Sequence, residues 1–365
     1  MNQTAPGTRK PSWLSRLMDR AFFPHLPPLN LAICRIVLGA WVLYYFTSAD
    51  GDQFVQACTR SLPEVFRPIG VVKLLDTPLT SATFSQIYHV MLACALLFTV
   101  GLGHRFIAPI FALLQLFLWT YRNSWGFIYH TENTLVFGAL LLALAPAADT
   151  WSLDAWLAAR VPGYGNVLVS TVHEKPSTPP LLHALRRGTP DFRYGWPIQL
   201  IIFVVGINYS VAGFAKIGEQ GLAWASGSTL EGQILRNAYW YEMIAGQAPS
   251  STLTVLQWPG WIFTGLAVMT LICETLGPLV VIDRRVSFLY AFIMFGFHWG
   301  VMLTMGIPFI YHLYGAAFAA FIPWEEIPFR TPQASSGPKD AVEPPAPGTE
   351  AVTAPDSPAQ PAATE

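Results

Sequence analysis

Lys216 closes an apolar stretch, Asn208-Tyr-Ser-Val-Ala-Gly-Phe-Ala-Lys216, in a neighbourhood rich in Trp, Phe, Ile, Leu and Val. A charge at membrane depth costs roughly 2.5–3.5 kcal/mol on insertion scales, so a lysine there is a functional candidate by default. Withdrawal from water loosens an ammonium's hold on its proton, which is the general route by which lysines become bases near neutral pH. The plain alternative is a lysine whose stem lies in lipid while its head snorkels to the interface.

Other polar groups recur at comparable depth. Asn208 precedes Lys216 on the same predicted helix. His130 ends Trp125-Gly-Phe-Ile-Tyr-His130, His298 sits in Phe-Gly-Phe-His-Trp299, and His312 opens the last apolar stretch. Each has a bland reading: His130 as a member of an aromatic belt, His298 as a histidine bonding a neighbouring carbonyl inside the bundle. Their convergence on one side predicts a polar pocket. Arg35 and Glu274 are both too polar for lipid. They predict either a structural ion pair between the first and sixth spans or two independent water-facing positions.

The elements that must position these groups follow from composition. Hydrophobic residues make up 53% of the 365 and charged residues 12%, against about 25% charged in soluble domains. The chain therefore reads as all-α, a polytopic transmembrane bundle of about eight helices. The expected spans are 31–47, 84–102, 106–121, 134–148, 197–214, 258–282, 286–305 and 308–323, the fourth and eighth being short. Most of the 21 lysines and arginines fall on the N-terminal side of this topology, in 9–20, 160–193, 284–285 and 330–339. The positive-inside rule then puts both termini in the cytoplasm of a multi-pass cell-membrane protein.

Residues 1–24 read as a cytoplasmic amphipathic segment, with Trp13, Leu14, Leu17, Met18 and Phe22 at helical spacing. Residues 25–328 form the membrane domain, and the Pro/Ala-rich stretch 329–365 reads as a disordered cytoplasmic tail. No cleavable signal peptide is read in the first 30 residues. Cys34, Cys94 and Cys273 fall in spans and Cys58 in an external loop, with no metal-ligand spacing. There is no P-loop, HExxH, GxSxG or dinucleotide fingerprint, and no internal repeat of the transporter kind.

The polar residues are arranged in a pattern that resembles the HTTM family, the membrane domain of vitamin K-dependent γ-carboxylase. Arg35-Ile-Val-Leu-Gly39, His130 followed by Leu135, Glu274-Thr-Leu-Gly-Pro278 and Phe297-His298 are similar to successive family segments. Ala212-Gly-Phe-Ala-Lys216 with Trp224-Ala-Ser-Gly227 is the most specific match, and the resemblance covers roughly residues 25–325. It implies Lys216 as the base toward reduced vitamin K or menaquinone, with His130 as its partner. The oxygen-dependent quinol oxidation would then drive carboxylation, a lyase-type chemistry on a secreted peptide or protein. Asn208, Trp224, His298 and His312 would line the pocket. The rival expectation is a non-catalytic membrane partner in maturation or export of a secreted protein; no nucleic-acid partner is expected.

Overall fold

A computed structural model describes residues 12–126, 128, 130–164, 185 and 187–328. The predicted tail at 329–365 lies outside the described residues, as do the first 11 and most of 165–186. The described chain is all-α. Its helices are α1 (Trp13–Phe22), α2 (Leu29–Thr47), α3 (Ala49–Thr59), α4 (Ser81–Val100), α5 (His104–Asn123), α6 (Asn133–Leu144), α7 (Leu153–Ala158), α8 (Phe192–Gln220), α9 (Gly227–Ala245), α10 (Ser250–Val255), α11 (Gly260–Thr275), α12 (Arg284–Met305) and α13 (Ile310–Leu313).

Local chemistry sets the ends of these elements. Ser12, Thr80, Asp191 and Asp283 accept first-turn backbone N–H groups at the starts of α1, α4, α8 and α12, satisfying donors that no helical carbonyl can reach. Gly101 and Gly306 stop α4 and α12 in the left-handed region, at φ 68° and 67°, where a Cβ would be strained. Three donors draw the Asp283 carboxyl below its ordinary value: the N–H groups of Arg285 and Val286, then Arg20.

Among the described residues four helices are long and apolar enough to cross a membrane: α2, α4, α8 with the short 3-10 turn after it, and α12. Large apolar residues such as Val90, Leu96, Phe214, Val211, Leu289 and Phe292 stay exposed on them, the pattern a hydrocarbon surrounding would favour. α2 is the most enclosed, packing on α4, α6 and α8. The aromatic core beside it brings together Phe46, Phe54, Tyr88 and Trp119.

The expected eight spans are not all present as spanning helices. The stretch 134–148 yields only the 12-residue α6, and 258–282 divides into α11 and a 3-10 turn at Gly277–Ile282 with Pro278 as its second residue. The stretch 308–323 becomes the four-residue α13, a left-handed Gly315 and a 3-10 turn, and it is buried against α2 and α8 rather than spanning. The 48–83 region is not a plain loop either. It carries α3 and two 3-10 turns and sends Phe54, Cys58, Phe66 and Val72 into the core. Cys58 is 1% exposed, and burial pushes its thiol up to about 12.

Candidate functional site

α8 is 29 residues long. At 1.5 Å per residue it extends about 43 Å, longer than a hydrocarbon core of about 30 Å, and Lys216 lies about 36 Å from its start. Asn208, Ala212, Lys216 and Glu219 recur at helical spacing and line one cavity, with Tyr209 on their flank. α11 adds Thr270 and Glu274 to that cavity, one turn apart, and α12 adds His298, Val301 and Met305. The enclosed volume is about 440 Å³, within the ~300–1,000 Å³ range of small-molecule sites.

At one end Lys216 Nζ donates to both carboxylate oxygens of Glu274, at 2.7 and 2.5 Å. The lysine side chain is 26% exposed and the glutamate 5%. Trp224 stands beside the pair, its ring centroid 5.3 Å from Nζ, within cation–π range. Small residues on α8 make the approach of α11 close enough for this contact. A Cβ on Gly213 would lie 2.9 Å from the Cβ of Glu274. One helical turn earlier, Ser210 Oγ donates to the carbonyls of Glu274 and Thr275, both at 3.0 Å, satisfying last-turn acceptors of α11.

Two further histidines line the same cavity. His298 and His312 have ring centroids 4.4 Å apart, and Tyr209 Oη lies 2.7 Å from His298 Nε2. Both rings are buried, and the Nδ1 atom of each has no hydrogen-bond partner among the described residues. A buried polar atom left without a partner costs about 1–3 kcal/mol, so a polar ligand group there would be strongly favoured.

His130 is exposed and lies in the wall shared with a second cavity of about 560 Å³. Thr131, Ile307 and Phe309 complete that wall, and Asp50, Gln53, Arg122 and Glu132 give the second space its polar side. Burial pushes the Glu132 carboxyl above its ordinary value, although the Thr131 hydroxyl donates to it.

The structure thus gathers Lys216, Asn208, Trp224, His130, His298 and His312 around one cavity. It does not join Arg35 to Glu274. The lysine takes the glutamate, and Arg35 donates instead to the carbonyls of Ala147 and Trp151, at 3.0 and 2.5 Å. Those carbonyls lie beyond the end of α6, where no helical N–H returns to them. A buried guanidinium is thereby held by backbone acceptors rather than by a carboxylate. Sequence reasoning also passed over Tyr209, Ser210 and Gly213; the small residues at 206, 210 and 213 along one side of α8 were the available signal for a close helix contact.

Among the described residues no group of three or more His, Cys, Asp or Glu is placed to hold a metal ion. Fold and site together define an all-α helical-bundle protein with, among the described residues, four helices fit to cross a membrane and a cavity carrying an ion-paired lysine. No family profile, curated protein or solved structure matches the chain.

Proposed function

We propose that this is a multi-pass cell-membrane protein of the HTTM kind, and that its Lys216–Glu274 pair removes a proton from a reduced quinone such as menaquinol or reduced vitamin K. The observation that carries this reading is an ion-paired lysine on the wall of an apolar cavity large enough for a bicyclic ring. The lysine nitrogen lies within 2.5–2.7 Å of both carboxylate oxygens, so the base in this reading is the pair rather than either residue alone. The quinol O–H bond breaks, its electron pair stays on oxygen, and the proton joins the pair. Trp224 shields one side of the lysine from water. His298 and His312, with their unpartnered Nδ1 atoms, are suited to hydrogen-bond a polar group of the ring. The bound quinol would supply the electrons for reduction of oxygen, the chemistry that carboxylation of a secreted peptide would draw on.

The test is oxygen-dependent turnover of reduced menaquinone and reduced vitamin K in membranes containing the protein. Lys216→Arg keeps the charge but cannot exchange its proton, so it is expected to fold and to lose turnover; Lys216→Ala is expected to lose turnover and stability together. His130→Ala is expected to lose less. Full turnover in Lys216→Arg would eliminate the base role. Absence of turnover in the folded wild type with either quinol would leave a non-catalytic partner in secreted-protein maturation as the better reading. Mass spectrometry of secreted peptides, with and without the gene, separates these two by the presence of added carboxyl groups.

A further inference from the structure

α9 is 19 residues long, about 28 Å by helical rise, which is nearly the thickness of a bilayer core. It is nevertheless not one of the helices apolar enough to cross, because it carries Glu231, Gln233, Arg236, Asn237 and Glu242. Three of its faces do different things. Ile234 and Ala238 are buried, and Gly227 at its start approaches α11 so closely that a Cβ would lie 2.6 Å from Thr264 N. Tyr241 donates to the Gly306 carbonyl at 2.6 Å, fastening the far end to α12. A second face, with Gln233 and Asn237, walls the cavity.

The third face is uncovered and carries an apolar stripe, with Glu231 and Glu242 along one edge of it. Leu235, Tyr239 and Met243 recur every fourth residue and are 56%, 63% and 57% exposed. The segments that pack beside α9 expose large side chains too, Leu222 in the 3-10 turn after α8 and Trp261 at the start of α11. Leu222 lies in the turn that continues α8, one of the helices apolar enough to cross a membrane, and that turn packs beside α9. Tyrosine and tryptophan beside charged residues are the chemistry of the bilayer interface.

We infer that α9 lies in the membrane interface with bilayer lipid as its partner, so that the Lys216 cavity opens at the lipid–water boundary and not to bulk water. The ligand class this fits is an amphipathic molecule, its polar ring in the cavity and its apolar tail left in lipid. The ligand class rests on the function proposed above, whereas the placement of α9 does not.

The test uses the full chain in phosphatidylcholine–phosphatidylglycerol vesicles, with its four native cysteines changed to alanine. Spin labels are placed singly at Tyr239→Cys, Met243→Cys and Asn237→Cys, each variant being checked for the thermal transition of the unlabelled protein. Collision rates are measured with oxygen, which concentrates in lipid, and with a water-soluble nickel chelate. Oxygen is expected to exceed nickel several-fold at 239 and 243, with the reverse or weak collision by both at 237. Nickel exceeding oxygen at 239 and 243 would overturn the inference, as would labels there that neither reagent reaches, which would mean a protein cover. A second arm compares long-tailed and tail-less quinols in Met243→Glu: a several-fold rise in KM for the long-tailed one alone is expected, and equal effects on both would exclude tail-in-lipid entry. If lipid contact is found but neither quinol turns over, the functional proposal fails while the placement of α9 stands.

Discussion

Lys216 Nζ lies 2.5 and 2.7 Å from the two carboxylate oxygens of Glu274, yet the two partners are unequally enclosed, the lysine side chain 26% exposed and the glutamate 5%. Unequal enclosure makes their loss unequal. Lys216→Met strands a carboxylate that is 5% exposed, and breaking a buried pair in this way costs about 3–5 kcal/mol. Glu274→Gln leaves a lysine that can turn its head outward, so it is expected to cost less. The double variant Lys216→Met/Glu274→Leu is expected to recover much of the single Lys216→Met loss. Thermal unfolding of the four proteins in detergent reads this out. Equal destabilisation by the two single changes would mean that the exposures do not describe the pair.

Arg35 and Glu274 share no hydrogen-bond partner. Changes at the two are therefore expected to add to within about 0.5 kcal/mol, as independent sites do. Arg35→Met leaves the Ala147 and Trp151 carbonyls without their donor, at about 1–3 kcal/mol for each buried group. A double-mutant cycle with a coupling well above the additive limit would restore the direct pairing that the sequence suggested.

Gly213 sets the distance at which α11 passes α8. Gly213→Val forces the Glu274 end of α11 outward, with an expected cost of about 1–3 kcal/mol from overpacking. Gly218, which has open space around its Cβ position, serves as the control on the same helix. If Gly213→Val and Gly218→Ala shift the unfolding temperature alike, close approach is not what holds the pair.

Cys58 is enclosed within α3, and its thiol is pushed up by burial. Because the thiolate is the reactive form, an impermeant maleimide is expected to leave Cys58 unlabelled in both intact and permeabilised cells, and to label it only after denaturation. Rapid labelling under native conditions would show that α3 does not pack as described.

Glu132 gives a pH signature. Its carboxyl is raised mainly by burial, so the folded state holds that proton more tightly than the unfolded chain does. Such a group's stabilising contribution is complete below the ordinary value of 4.5 and is lost as pH rises through the higher folded value. Glu132→Gln is expected to lose less stability than wild type between pH 4.5 and pH 8. Parallel Tm–pH curves for the two proteins would refute the assignment.

The class of this protein was legible in its residues alone. A chain with 53% hydrophobic and 12% charged residues has no use for water over most of its length, and only helices satisfy their own backbone in that setting. The polar residues at depth were legible for the same reason: Lys216, His298 and His312 are costly where they stand, and cost at a single position can be read without knowing any neighbour. What the sequence could not decide was which costly groups meet. Charge sign allowed Glu274 to pair with Arg35 or to stand apart from it, because sign is local information and distance is not. The partner was chosen by the tertiary path: the small residues of α8 let α11 come close enough for Lys216 to reach the carboxylate, while the carbonyls beyond α6 gave Arg35 another home. The apolar run at 308–323 failed as a span on similar grounds. Hydropathy reports that a segment avoids water, but whether lipid or protein surrounds it depends on packing, and here α2 and α8 enclose it.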